Sequence, residues 1–210
     1  MNDEFPARLR ERLQGLDYDL CVMTGDYRYL THGPWDKAIA GLATIRSVIS
    51  SPVYAVLGNH YSLRMAPEIE ALDIRLLLNE AITVTKDNDS LYLAGIDDPH
   101  YFRTDNLDRA CNTIPHTAIS ILLAHSPEIF LQAAHSGFDV LLCGHTHGGQ
   151  ITLPAGLALT YNANCPRDYC AGAWQHQQLQ GYTSVGTGSS IVDLRFNCLP
   201  EITLHRLQSE

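Results

Sequence analysis

The spacing of apolar positions changes along the chain, and the changes divide it into elements. Residues 6–15 set Leu9 and Leu13 among charges at helical spacing, and "YDLCVMTG" follows as a short apolar, β-rich run that stops at a glycine. "PWDKAIAGLATIRSVIS" returns to helical spacing after a proline, and "SPVYAVLGNH" is a second buried strand ended by glycine. "IRLLLNEAITVT" and "SLYLAGIDD" read as strands on either side of the turn "KDND"; "DNLDRACNTI" reads as helix and "AISILLAH" as strand. In "SPEIFLQAAHSG", Ser126 is placed to cap a helix, Pro127 takes its first position and Gly137 lies past its end, before the strand "FDVLLCG". Beyond Gln150 helical spacing disappears. Short β segments are expected near 151–153, 181–185, 190–196 and 201–207, with 161–180 as the most irregular stretch.

Strands alternating with helices, then strands alone, predict a layered α/β fold in which a largely parallel sheet is extended or faced by a second sheet. A length of 210 residues with 45% hydrophobic side chains suits one domain over 1–210. No apolar run approaches the roughly 18 to 20 residues of a membrane span. The N-terminal stretch carries acids where a secretion signal has a basic end and an apolar block, so the cytoplasm is the expected location. The net charge is −9, from 14 basic and 23 acidic residues, and no basic run offers a stripe to a phosphate backbone; nucleic acid is disfavoured as a main partner. Of the six cysteines, Cys21 and Cys143 fall in apolar strands and are expected as buried free thiols. Cys165 and Cys170 lack the second Cys/His pair of a structural zinc site.

The polar residues that end each strand change the picture. "TGD" supplies Asp26, "LGNH" supplies Asn59 and His60, "LLAH" supplies His125, and "CGHTH" supplies His145 and His147. Side chains alternate along a strand, so two histidines one residue apart can aim at one point; alone, the pair also fits ordinary surface or core histidines. Four strand ends carrying such groups point to a metal site, because α/β folds build sites at the carboxyl ends of strands. Imidazole, carboxylate and amide oxygen together suit a borderline divalent ion, Mn²⁺ first, then Zn²⁺ or Fe²⁺; a shared carboxylate lets two ions sit about 3.5 to 4 Å apart.

Gly25-Asp26, Gly58-Asn59-His60, His125 and Gly144-His145-Thr146-His147 resemble, in order, the successive motifs of the calcineurin-like metallophosphoesterase superfamily. "GHTHGGQ" and the ending "GTGSSIVDLRFNCLPEITLHRL" further resemble the bacterial membrane-peripheral phosphodiesterases related to UDP-2,3-diacylglucosamine hydrolases. The resemblance implies a four-layer α/β/β/α sandwich and a hydrolase of a phosphodiester or phosphoanhydride working through metal-activated hydroxide. It implies that Asp26 bridges two metals, that Asn59, His125 and His145 complete the second site, that His147 binds the first, and that His60 acts at the phosphate or the leaving oxygen. The implied substrate is a small phosphoester, lipid-linked or nucleotide-containing, with peripheral contact at the inner membrane.

Two departures qualify this. The family opens with a strand ending in Asp-x-His, and no such motif precedes "YDLCVMTG"; the first strand is expected to be missing. That leaves the first metal only Asp26 and His147, and makes a non-catalytic phosphate-ligand-binding protein the alternative. In-frame DNA upstream of Met1 is expected to encode the motif. Tyr61 stands where many relatives carry an acid, which weakens the case for proton donation by His60. Asp97, Asp98 and His100 form either a substrate-side loop or an Asx-type turn. Arg28 and His32 lie where they can meet a phosphate or simply face solvent. Gly186–Ser190 reads as a turn, Arg195 as a strand-face residue, and Trp35 and Trp174 as core packing.

Overall fold

Strands that are apolar at nearly every position are buried on both faces, and two sheets packed together account for these. The computed structural model describes residues 4–28, 31–154, 157–158, 160–190 and 192–208. The ends of the expected 1–210 domain, and Ile191 of the expected 190–196 strand, lie outside them. The smaller sheet is parallel, in the order β1 (Cys21–Met23), β2 (Val53–Ala55), β3 (Ile74–Leu76), with Cys21 opposite Val53 and Val53 opposite Ile74. The larger contains β4 (Glu80–Lys86), β5 (Asp89–Gly95), β6 (Ser120–Leu123), β7 (Val140–Cys143), β8 (Gly172–His176) and β9 (Leu179–Thr183). Its order is β4-β5-β6-β7-β9-β8, parallel from β5 to β9 and antiparallel at both edges.

The period of two sorts the side chains into layers. In β1 and β2, Val22, Tyr54 and the following Val56 point to the space between the sheets, where they meet Leu93, Ile121, Leu123, Val140 and Leu142. Their neighbours Cys21, Met23, Val53 and Ala55 point the other way, toward α1 (Phe5–Leu13), α2 (Asp36–Arg46) and α3 (Ala66–Glu70), and pack with Leu13, Leu42 and Ile69. On the far side, Leu122, Leu141 and Cys143 face α4 (Leu107–Cys111) and α5 (Phe130–His135), meeting Ala110, Phe130 and Ala133. The order is therefore helices, three-stranded sheet, six-stranded sheet, helices: the expected four layers. Ser126 caps the α5 region as expected, its Oγ accepting from the Glu128 N–H. Among the described residues no helix is long and apolar enough to cross a membrane.

Three expectations need correction. "IRLLLNEAITVT" is two strands in different sheets, because Asn79 adopts φ +59° and turns the chain from β3 into β4. The stretch 161–180 contains β8, paired in register with β9; Gly181 leaves room for the Trp174 ring, whose Nε1 donates to Thr183 Oγ1 at 2.9 Å. The segments near 190–196 and 201–207 join no ladder among the described residues beyond a bridge of Phe196 to Ile151. Side chains pin them instead. The Gln150 amide exchanges bonds with both backbone groups of Ser190, and the Glu201 carboxylate accepts from Tyr182 Oη and the Val185 N–H.

All six cysteines are free. Cys165 and Cys170 sulfurs lie 3.5 Å apart. Burial pushes both thiols up, which works against thiolate ligation of zinc.

Candidate metal centre

Each sheet brings two strand ends to one place. From the small sheet, β1 runs into Thr24-Gly25-Asp26 and β2 leads on to Gly58-Asn59-His60; from the large one, β6 leads to His125 and β7 to Gly144-His145. They come this close because the backbones meet where side chains are lacking. A Cβ on Gly25 would lie 1.8 Å from the Leu57 carbonyl oxygen, and one on Gly58 2.4 Å from Asp26 Oδ1. Asp26 and His145 are themselves left-handed, at φ +59° and +71°. Such conformations in residues other than glycine gather at functional sites.

Four electron-rich atoms converge here. His125 Nε2 lies 2.9 Å from Asn59 Oδ1, 3.1 Å from His145 Nδ1 and 3.3 Å from Asp26 Oδ2. Asp26, His125 and His145 offer ligand atoms all within 4.8 Å of one another, a group able to hold a metal ion. Backbone carbonyls fix both rings. His125 Nδ1 donates to Thr24 O at 2.7 Å, and His145 Nε2 donates to Asn162 O at 2.7 Å. With those protons turned outward, the remaining lone pairs face inward. A proton on His125 Nε2, or a divalent cation in its place, would satisfy these lone pairs.

The titration directions agree. Burial by itself would raise Asp26, but the His125 imidazole and the His60 N–H outweigh it and hold the carboxyl well below its ordinary range. Burial would lower His125, and the Asp26 carboxylate overturns that and raises it. For His145, burial first, then His125 and His100 beside it, outweigh the pull of the Asp26 carboxylate and lower it to about 3.

An outer ring of contacts holds His145. The His100 ring lies 4.2 Å from it, centroid to centroid. His100 Nδ1 donates to Glu128 Oε1 at 3.0 Å, and the same oxygen accepts from Asn164 N–H at 2.6 Å. Glu128 thus ties the loop carrying Asn162 to the loop carrying His100. Burial would raise its pKa, but the bonds from His100 and Asn164 hold it lowered. A carboxylate with a depressed folded pKa stabilises the fold above its unfolded value and loses that contribution as pH falls through the folded one. Glu128→Gln is therefore expected to melt below the wild type at pH 7, with the difference shrinking at pH values under 4.5; thermal unfolding at pH 7 and at acid pH checks it.

The other sequence candidates fall at distinct places. The His60 N–H donates to Asp26 Oδ1 at 2.8 Å, and its ring Nδ1 lies 3.5 Å from Thr31 Oγ1. His147 is outside the three-residue group. Its Nδ1 faces Arg195 Nη2 at 3.3 Å; burial and that guanidinium lower its pKa. Arg195 is not on a strand face: its Nε donates to Gly188 O at 2.8 Å and its Nη2 to Val185 O at 2.6 Å, gathering the loop after β9 under His147. Asp98 takes the turn role, accepting from the N–H groups of His100, Tyr101 and Phe102. Tyr61 Oη donates to Asp97 at 3.0 Å. The carbonyls of Thr24 and Asn162 leave no mark in a sequence, and Glu128 reads there only as a first-turn helix acid.

The chain belongs to the calcineurin-like phosphoesterase family, whose pattern matches residues 3–149. It is thereby a metallophosphoesterase, of the class of hydrolases that act on phosphoester bonds with divalent metals. It is 26% identical over 200 residues to phosphodiesterase YaeI of Escherichia coli, covering 90% of this chain and 70% of that protein. It is 30% identical over 212 residues to the uncharacterized metallophosphoesterase YkoQ of Bacillus subtilis, covering 96% of this chain and 77% of that one. In structure it is similar to the sulfate thiohydrolase SoxB of Thermus thermophilus, with a TM-score of 0.57 at 14% identity over 93% of this chain and 42% of SoxB. That likeness concerns the fold.

Proposed function

We propose that this chain hydrolyses a small phosphodiester or phosphoanhydride at a centre built by Asp26, Asn59, His125 and His145, as one domain over 1–210. The observation that carries the reading is the convergence of four donor atoms, two of them on imidazoles whose outward protons are tied to backbone carbonyls. These residues would hold a divalent cation, Mn²⁺ first among borderline ions, with Zn²⁺ or Fe²⁺ also suited to the donor set. When bound, such an ion brings the pKa of water toward neutrality and gathers negative charge from phosphoryl oxygens. Asp26 contributes a carboxylate that stays ionised far into acid. Thr24 and Asn162 prevent either imidazole from turning. His60, anchored through its N–H to Asp26, would stabilise the phosphate or protonate the leaving oxygen. A substrate drawn from the UDP-2,3-diacylglucosamine-related branch would be lipid-linked or nucleotide-containing, met in the cytoplasm at the inner membrane surface.

His147 would serve the first metal of a complete two-metal site. One observation favours the alternative, a phosphate-ligand-binding protein without full catalysis: Arg195 faces the His147 lone pair on Nδ1. The test is hydrolysis of bis(p-nitrophenyl) phosphate by the purified chain with Mn²⁺, alongside its bound-metal content. Turnover that stops with EDTA supports the enzyme. Tight cation binding with no turnover supports the alternative, and turnover indifferent to EDTA sinks the metal role.

A further inference from the structure

Arg28 lies two residues beyond Asp26 and is nine-tenths buried, yet its Nε has no hydrogen-bond partner among the described residues. One end of the guanidinium is fixed, Nη1 donating to Gly33 O at 3.0 Å. Among the described residues no carboxylate pairs with it. A buried cation with an idle donor destabilises a fold, and such groups persist where a ligand relieves them.

Arg28 lines a cleft of about 440 Å³ together with Thr31, His32, Trp35, Tyr61 and Phe102. Among the described residues no acid lines it, although the chain as a whole carries a net charge of −9. Neighbouring acids are engaged: Glu68 accepts from Trp35 Nε1 at 2.8 Å and Asp97 from Tyr61 Oη at 3.0 Å. The cleft adjoins the metal centre through Thr31, whose hydroxyl lies 3.5 Å from His60 Nδ1. Its apolar wall is aromatic, with Tyr61 and Phe102 rings edge to face at 5.0 Å.

We propose that this cleft is a second anion subsite, in which Arg28 grips a further phosphoryl group of the substrate while Trp35, Tyr61 and Phe102 hold the planar or apolar part attached to it. The inference deepens the functional reading above and rests on it. It narrows the substrate to phosphoesters with a second phosphoryl group beyond the scissile one. A guanidinium suits that role because its prongs match paired phosphoryl oxygens, which an ammonium does not.

Calorimetry on the full chain in EDTA, with inorganic pyrophosphate and orthophosphate as probes, tests the subsite without any cation taking part. Pyrophosphate is expected to bind about tenfold more tightly than orthophosphate, the worth of one charge-assisted hydrogen bond. Arg28→Gln erases the preference and Arg28→Lys restores part of it. The ligand-free Arg28→Gln protein melts at or above the wild-type temperature, since it loses an unpartnered buried charge. A variant that melts lower and binds pyrophosphate as the wild type does makes Arg28 a structural prop and overturns the proposal, as does equal affinity for the two probes in the wild type. Metal content is read on separate samples. Failure of pyrophosphate binding beside an intact cation site removes the subsite alone, whereas failure to bind any cation removes the reading beneath it.

Discussion

Asp26→Ala is expected to lower the affinity for Mn²⁺ by more than about a hundredfold and to bring metal-dependent hydrolysis down to background. Partners one layer outside a metal typically contribute 10- to 100-fold in affinity, and Asp26, proposed above as a direct ligand, should contribute more. It is the one carboxylate in the group able to hold a metal, so its loss leaves neutral donors facing a dication. It also frees the His60 N–H, which Asp26 Oδ1 accepts at 2.8 Å. His145→Ala is expected to fall less far, because the carboxylate remains. Titration calorimetry with Mn²⁺ on both variants gives the order, and an Asp26→Ala protein that retains its metal would place the centre elsewhere.

Gly25→Ala is expected to destabilise the fold by roughly 3 kcal/mol or more, lowering Tm by about 6 to 12 °C for a chain of this size. Two effects add. The backbone there has φ +103°, which an alanine adopts only under strain, and the new Cβ would sit 1.8 Å from the Leu57 carbonyl oxygen. That neighbour is backbone, so relief requires the ends of β1 and β2 to part. Gly15 isolates the first effect: it has φ +80°, but a Cβ there meets nothing within 4 Å. Gly15→Ala should therefore lower Tm by only about 2 to 4 °C, corresponding to roughly 1 kcal/mol. Equal losses in the two variants, measured by thermal unfolding, would remove the argument from close approach.

Much of this molecule is legible in its sequence because the information is local. A glycine followed by a ligand-type residue at the end of an apolar run is visible in "TGD", "LGNH" and "CGHTH", and all three fall at strand ends that meet. The layers follow from runs such as "SILL" and "VLLC", apolar on both parities and therefore covered on both faces. Information that depends on partners distant in the chain is not legible. Nothing in "IRLLLNEAITVT" announces that its two halves join different sheets, since a single left-handed asparagine makes the change. Alternation in Leu194 and Phe196 promises a strand, yet both are more than half exposed and the segment is held by Gln150 and Arg195. Arg195 reads as a strand residue because its role is to collect carbonyls from a loop seven to ten positions earlier. Arg28 likewise reads as a loop cation, since its burial comes from the fold around it.

The centre draws Asp26 and Asn59 from the three-stranded sheet and His125 and His145 from the six-stranded one. An ion gripped by all four, as proposed above, would be a clip between two halves of the fold. Any fluctuation that parts the sheets must release it, so the free energy of that opening rises by RT ln(1 + [ion]/Kd), about 2.7 kcal/mol at a hundred times Kd. Amide hydrogens in β1 and β2 that exchange through such opening should then slow by about a hundredfold on saturation. Those of α5, which packs against the outer face of the larger sheet alone, should slow only where their exchange also requires the sheets to separate.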